Sequence, residues 1–185
     1  MNSVINLGEK VLISLRQIIR AIDLHSRYLT KKYGLTGPQL LIMKEIARLK
    51  SAPVGIIAEN VSLSQATVTS ILDRLERLNY IARNRSNTDR RKVIIHITES
   101  GLAKLNTNPS LLQEYFIKEF IKLKEWEQTL ILSSLQRVAS MMNAEELKVL
   151  PVLTSGSISA TASDVIDFLD EQNQSDKDNI KNSNT

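Results

Sequence analysis

Between Ser62 and Ile97 a helical pattern with a polar tip runs straight into a basic hairpin pattern, and few folds accommodate that succession. Ser64 stands where an N-cap is expected, and the turn it opens carries short polar side chains. Val68, Ile71, Leu72, Leu75 and Leu78 follow the three-and-four spacing that gives a helix one buried face. After Leu78-Asn79-Tyr80 the pattern turns to strand. Arg83, Arg85, Arg90, Arg91 and Lys92 gather within ten residues, opposed by Asp89. Val93, Ile95 and Ile97 alternate with Ile94 and His96 and form the return strand, with His96 on the surface side. Such a helix can set its hydrogen-bonding groups against base edges while the cationic hairpin meets phosphates.

The rest of the chain reads as helices around this pair. From Val4 to Tyr33, Gly8, Val11, Leu15, Ile18, Ile22, His25 and Leu29 form a seam suited to packing along other helices. Lys31 and Lys32 suit its carboxyl end, and Gly34 is placed to stop it. Thr36-Gly37-Pro38-Gln39 resembles a capping box that opens a helix through Leu49. Ala52-Pro53 opens a short helix over Val54–Glu59, and Asn60 is expected to take the left-handed conformation of the turn to Ser64. Two helices joined this way follow the helix-turn-helix plan. Thr98 with Glu99 caps a further helix through Leu105.

Beyond Pro109, Leu112, Tyr115, Phe116, Glu119, Phe120 and Leu123 mark one helix. Trp126, Leu130, Ile131, Leu135, Val138 and Met142 mark another. Together with the first helix they hold more apolar surface than one small domain needs, so a homodimer built from both chain ends is expected. The resulting division is a dimerisation helix over 4–35, a DNA-binding domain over 36–99, dimerisation helices over 100–147 and a polar acidic tail over 148–185. The tail is expected to be mostly disordered apart from a short helix at Ser163–Leu169.

Charge supports a polyanionic partner. The net charge of the 185 residues is +4, but residues 151–185 hold two lysines against six carboxylates, a net of −4 that leaves the body at +8. The chain has no cysteine, which excludes disulfides and thiolate metal sites, and its two histidines, His25 and His96, are too few for a typical zinc cluster. Neither a metal nor a cofactor is expected. No apolar run approaches the roughly 20 residues of a membrane span. Glu9 and Arg16 interrupt the amino-terminal apolar pattern and no small-residue cleavage site follows, so the expected location is cytoplasmic. With no nucleophile–base pair and no glycine-rich phosphate loop, an enzyme is not expected.

Leu63-Ser64-Gln65-Ala66-Thr67-Val68-Thr69 with Leu72-Asp73-Arg74-Leu75-Glu76, then Asp89-Arg90-Arg91 and Ile97-Thr98-Glu99-Ser100-Gly101, resemble the MarR family of bacterial transcription regulators over about 4–147. The resemblance implies a mainly α winged helix-turn-helix with a two-stranded β-wing. It also implies a helical dimerisation domain formed from both chain ends, binding to palindromic operators in double-stranded DNA, and release by a small-molecule effector. Arg20 to Ser26 and Trp126 to Ala139 further resemble a subgroup linked to compatible-solute genes.

Roles follow for individual side chains. Ser64, Gln65, Thr67, Thr69 and Ser70 fall where the recognition helix meets base edges, Gln pairing with adenine and the Thr methyl touching thymine; the plain alternative is a solvated helix start. Arg74 and Arg77, a turn further on, reach phosphates or pair with Asp73 or Asp89. Arg90 and Arg91 suit a narrow minor groove, and by resemblance Asp89 braces one of them. Also by resemblance, His25 and Tyr28 lie near the effector site, although the residues by themselves favour His25 as a buried, satisfied histidine. Trp126 reads as a core or dimer anchor. The expected function is a homodimeric repressor modulated by a small effector or by ionic strength. A protein-interaction module that keeps the fold without binding DNA is the rival reading.

Overall fold

The computed structural model describes residues 2–85, 93–144, 147 and 152–155. Asp89, Arg90, Arg91 and Lys92, and the helix expected at Ser163–Leu169, lie outside the described residues. The elements in order are α1 (Asn2–Tyr33), α2 (Gly37–Leu49), β1 (Ser51–Pro53), α3 (Val54–Asn60), α4 (Gln65–Arg77), β2 (Ile81–Arg85), β3 (Val93–Ile97), α5 (Glu99–Asn106), α6 (Leu112–Phe120) and α7 (Glu125–Met141). The described residues fall into two compact units, one within Met1–Tyr115 and Leu150–Gly156 and one beginning at Phe116.

Local chemistry sets the helix ends. Gly34 takes φ +69, a conformation in which a Cβ would be strained, and its N–H closes on the Thr30 carbonyl at 2.9 Å. The Thr36 N–H donates to Gln39 Oε1 at 2.9 Å, and Pro38 lies in the first turn of α2, where its missing N–H costs nothing. Helix α2 is the centre of the first unit. Its Leu40, Ile42, Met43 and Ile46 are fully buried and join Leu35, Ile57, Val68, Leu72, Leu75, Ile81 and Ile95 in one core.

Several sequence expectations need correction. Asn60 is not the left-handed residue of the turn: α3 runs through it, its Nδ2 donates to Glu45 Oε1 at 2.7 Å, and Ser62 takes φ 55 instead. Leu78 is 42% exposed because α4 ends at Arg77, and Asn79, at φ 58, then turns the chain away from the helical period. The expected two-stranded wing is present as the β2-β3 hairpin, and a short strand not expected from the sequence, β1, joins it in the order β1-β3-β2, with every pairing antiparallel. That puts His96 on the central strand, opposite both Ser51 and Ala82, so it is half-buried rather than a surface residue.

Thr98 opens α5 by accepting the Gly101 N–H at 3.0 Å while its hydroxyl donates to the Asn79 carbonyl at 2.7 Å. This draws α5 so close to the turn before β2 that a Cβ on Gly101 would fall on the Tyr80 carbonyl oxygen and come within 2.7 Å of Ile97 Cγ1. In the second unit, Phe116 and Phe120 stack with centroids 5.4 Å apart, and Lys124 opens α7 with its N–H on Glu127 Oε2 at 2.9 Å. Leu123 lies in the connection between α6 and α7 rather than on α6. No α7 side chain is fully buried, and Trp126 is 62% exposed rather than part of a core.

The acidic tail, expected to be loose from 148 onward, contains an ordered piece. Val152–Ser155 lies against the first unit, with Val152 buried and the Leu153 and Ser155 amides bonded to side chains of α6 and α1.

Candidate nucleic-acid interface

Helix α4 is anchored from below and open above. Val68, Leu72 and Leu75 are fully buried, while Gln65, Thr69, Ser70, Arg74 and Arg77 are exposed. Burying three aliphatic side chains at roughly 1.5–3 kcal/mol each fixes the rotation of the helix about its axis, so the polar residues cannot turn inward.

Of the residues expected to read bases, several are partly committed to the helix itself. Ser64 Oγ accepts the Thr67 N–H at 3.1 Å and lies 2.8 Å from Thr67 Oγ1, so this pair builds the cap. Thr69 Oγ1 donates to the Gln65 carbonyl at 2.7 Å, which leaves its methyl and its lone pairs for a partner. Ser70 is exposed one step along. The Gln65 amide extends toward the start of α3, close enough that a Cβ on Gly55 would stand 3.3 Å from its Nε2. An open groove lined by Pro53, Ile56, Glu59, Leu63 and Gln65 separates these two helices.

The arginines divide. Asp73 is paired to Arg83 of β2, whose Nη2 lies 2.5 Å from Asp73 Oδ1. The Arg83 Nε is 3.3 Å from Glu76 Oε2 but lacks hydrogen-bond alignment, so this second contact is coulombic only. Arg83, counted with the cationic hairpin in the sequence, is 27% exposed and acts as a brace between α4 and the sheet. The signal for this was legible: strand alternation places Arg83 on the same face as buried Ile81. Arg77 Nε donates to the Asp73 carbonyl at 3.2 Å, a contact with backbone rather than with the carboxylate. Arg85, exposed, stands opposite Val93 on the outermost described rung, and Asp89, Arg90 and Arg91 belong to the segment beyond it, outside the described residues.

The two residues expected near an effector have local partners. His25, half-buried, has Nε2 3.0 Å from the Ser110 carbonyl, which suits the satisfied-histidine reading. Tyr28 is 47% exposed, and its hydroxyl accepts from Lys32 Nζ at 2.7 Å. That ammonium holds the Tyr28 phenol below its usual range and is itself raised by the contact. Among the described residues, no cluster of three His, Asp or Glu side chains could hold a metal ion. No described helix is long and apolar enough to cross a membrane.

A capped helix pinned by its apolar face, preceded by a short helix and followed by a small antiparallel sheet, defines a winged helix-turn-helix. Residues 25–107, which span this whole arrangement, match the family model of the SarA/Rot transcriptional regulators. The chain is 33% identical over 97 residues to the transcriptional regulator MgrA of Staphylococcus aureus, a match covering 52% of this chain and 66% of MgrA. It is 31% identical over 101 residues to the repressor MdtR of Bacillus subtilis, covering 55% and 65%. The matched segment thus spans just under two thirds of these relatives. Among solved structures, a MepR-like protein complexed with pseudoligands superposes with a TM-score of 0.50 at 22% identity, covering 75% of this chain and 95% of that one. A mutant form of MarR from E. coli, solved with operator DNA, gives 0.50 at 21% identity, covering 74% and 96%. At these identities the likeness is one of fold, and the fold is that of the MarR-type winged helix.

Proposed function

We propose that this chain is a sequence-specific DNA-binding transcriptional regulator that acts by occupancy rather than turnover. The observation that carries the reading is α4. Its apolar side is sealed into the core, while Gln65, Thr69 and Ser70 stand exposed at its amino-terminal half. The similarity of this segment to regulators, one of them a repressor, supports the same reading. Gln65 and Thr69 supply base contacts, Ser64, Thr67 and Ser70 line the same end, and Arg74, Arg77, Arg90 and Arg91 supply phosphate and minor-groove contacts, with Asp89 shaping the wing.

The working form is a homodimer in the cytoplasm, repressing from a palindromic operator. Its support is the apolar surface left open on α1, where Leu7, Leu12 and Ile19 are all more than 60% exposed, and separately on α7 at Trp126 and Leu130. Residues 4–35 and 100–147 are the dimerising parts and 36–99 the DNA-binding part. Control falls to a small effector near His25 and Tyr28 or to ionic strength. The targets are compatible-solute genes, supported by the sequence likeness of Arg20–Ser26 and Trp126–Ala139.

The test is fluorescence anisotropy on DNA from the chain's own upstream region across a salt series, with a scrambled duplex as control. Arg90→Ala with Arg91→Ala is expected to weaken binding and flatten the salt dependence by about 0.9 in log–log slope per lost phosphate contact. Absence of binding to any duplex at low salt would leave the protein-interaction reading in its place.

A further inference from the structure

Polar side chains seldom stay buried without partners. Among the described residues three polar or charged side chains are buried: Ser26, Gln39 and Gln113. Gln39 is used by the Thr36 cap. The other two are occupied by the segment Val152–Ser155. Ser26 Oγ donates to the Ile22 carbonyl at 2.8 Å and accepts the Ser155 N–H at 2.8 Å. Gln113 Oε1 accepts the Leu153 N–H at 3.3 Å. Thr154 Oγ1 lies 3.3 Å from Ser26 Oγ, and Ser155 Oγ donates to Asp23 Oδ1 at 3.2 Å.

The fit is steric as well. Val152 is buried, Leu153 faces outward at 36% exposure, and Thr154 turns in again, the alternation of an extended peptide lying in a groove. Gly37 lets it approach: a Cβ there would stand 3.1 Å from Thr154 Oγ1 and 3.8 Å from Val152 Cγ1. The groove is therefore built from α1 (Asp23, Ser26), the first turn of α2 (Gly37) and the start of α6 (Gln113), all within the first unit. The match to the SarA/Rot family ends at residue 107, well before this segment.

We propose that this groove is a peptide-binding site held in cis by Val152–Ser155, and that its occupancy is a latch on the winged helix. The docked segment ties α1 to the first turn of α2, and α2 supplies the core on which α4 rests. Docking and DNA binding therefore share one free-energy balance, and each strengthens the other by the same factor. The coupling rests on the regulator reading given above; the docking does not.

The test uses the full chain. Hydrogen exchange should show the Leu153 and Ser155 amides slowed by about tenfold or more over an open chain. Gln113→Ala should release Leu153, and Ser26→Ala should release Ser155. A fluorescent peptide with the sequence of residues 150–156 should bind the Val152→Asp variant at least about tenfold more tightly than wild type, whose own segment competes at high effective concentration. On the upstream duplex, Val152→Asp and Ser26→Ala should weaken binding by about threefold or more, within the usual range of coupling energies. Leu153→Ser, at the outward position, should change nothing. Unprotected amides, equal peptide binding to both proteins, or unchanged DNA affinity in both released variants overturns the latch. If wild type itself binds no duplex while the amides are protected and the peptide arm behaves as stated, it is the regulator reading that fails.

Discussion

Replacing Gly101 by alanine sets two physical effects of opposite sign against each other. Gly101 lies in helix α5, where helix propensity favours alanine by about 1 kcal/mol. Its φ is not among the positive ones, so no backbone preference for glycine opposes the change. Sterics do. The added Cβ would overlap the Tyr80 carbonyl oxygen, which is fixed backbone already accepting the Thr98 N–H at 3.0 Å. Relieving the overlap means sliding the first turn of α5 off the turn before β2. Overpacking of this kind costs roughly 1–3 kcal/mol, and separating the Thr98 N–H from its carbonyl leaves a poorly satisfied pair at about another 1–3 kcal/mol. After the propensity gain is set against these, the expected net loss is about 3 kcal/mol. Urea unfolding followed by circular dichroism should show a lower midpoint with an unchanged slope. Gly8→Ala is the internal reference: Gly8 lies in α1, nothing stands within 4 Å of a Cβ there, and the variant should gain up to about 1 kcal/mol. A Gly101→Ala protein as stable as wild type would refute the close approach of α5 to Tyr80.

Two further outcomes follow from the ion pairs. Arg83→Ala removes a brace whose carboxylate partners, Asp73 and Glu76, are about half exposed, so the stability loss should be only about 0.5–1 kcal/mol; the salt slope of DNA binding should stay unchanged, unlike that of the Arg90/Arg91 variant. Glu45 is held below its ordinary value of 4.5 first by the hydrogen-bonded Arg48 guanidinium and then by the Asn60 amide. A carboxyl with a depressed folded pKa contributes stability that is full above the unfolded value and is lost as pH falls through the folded one. The acid limb of a stability–pH profile should therefore begin near the ordinary value of 4.5 and be shallower in Glu45→Gln; an identical limb in both proteins would remove Glu45 from the account.

What the sequence disclosed was whatever is decided within a few residues. The Ser64 and Thr98 caps, the Gln39 reach-back to Thr36 and the stop at Gly34 are interactions over three or four positions, and their residue types announce them. Features decided by tertiary pairing were not visible. Strand β1 is three residues long and ends in proline, too short for any alternation to register. Strand alternation puts Arg83 on the face of buried Ile81, but its partners Asp73 and Glu76, ten and seven positions earlier, are set only by the packing of α4 on the sheet. Val152–Ser155 sits in a composition typical of loose tails, and only the burial of Ser26 and Gln113, more than a hundred and about forty positions away, gives it partners. For the base-reading set, position on α4 was legible, whereas the diversion of the Ser64, Thr67 and Thr69 hydroxyls into local bonds was not.

The short strand β1 has a consequence for how this protein behaves when crowded. A small sheet with open sides is a template on which other chains can add strands. Here β3 is covered on both sides, by β1 and by β2. The β1 side offers only three residues, the last of which, Pro53, has no N–H to give, and the chain bends into α3 at the next residue. The β2 side carries the exposed Arg85, an edge charge that disfavours pairing with a second copy of the same strand. Both margins of the described sheet thus carry features that disfavour edge-to-edge pairing.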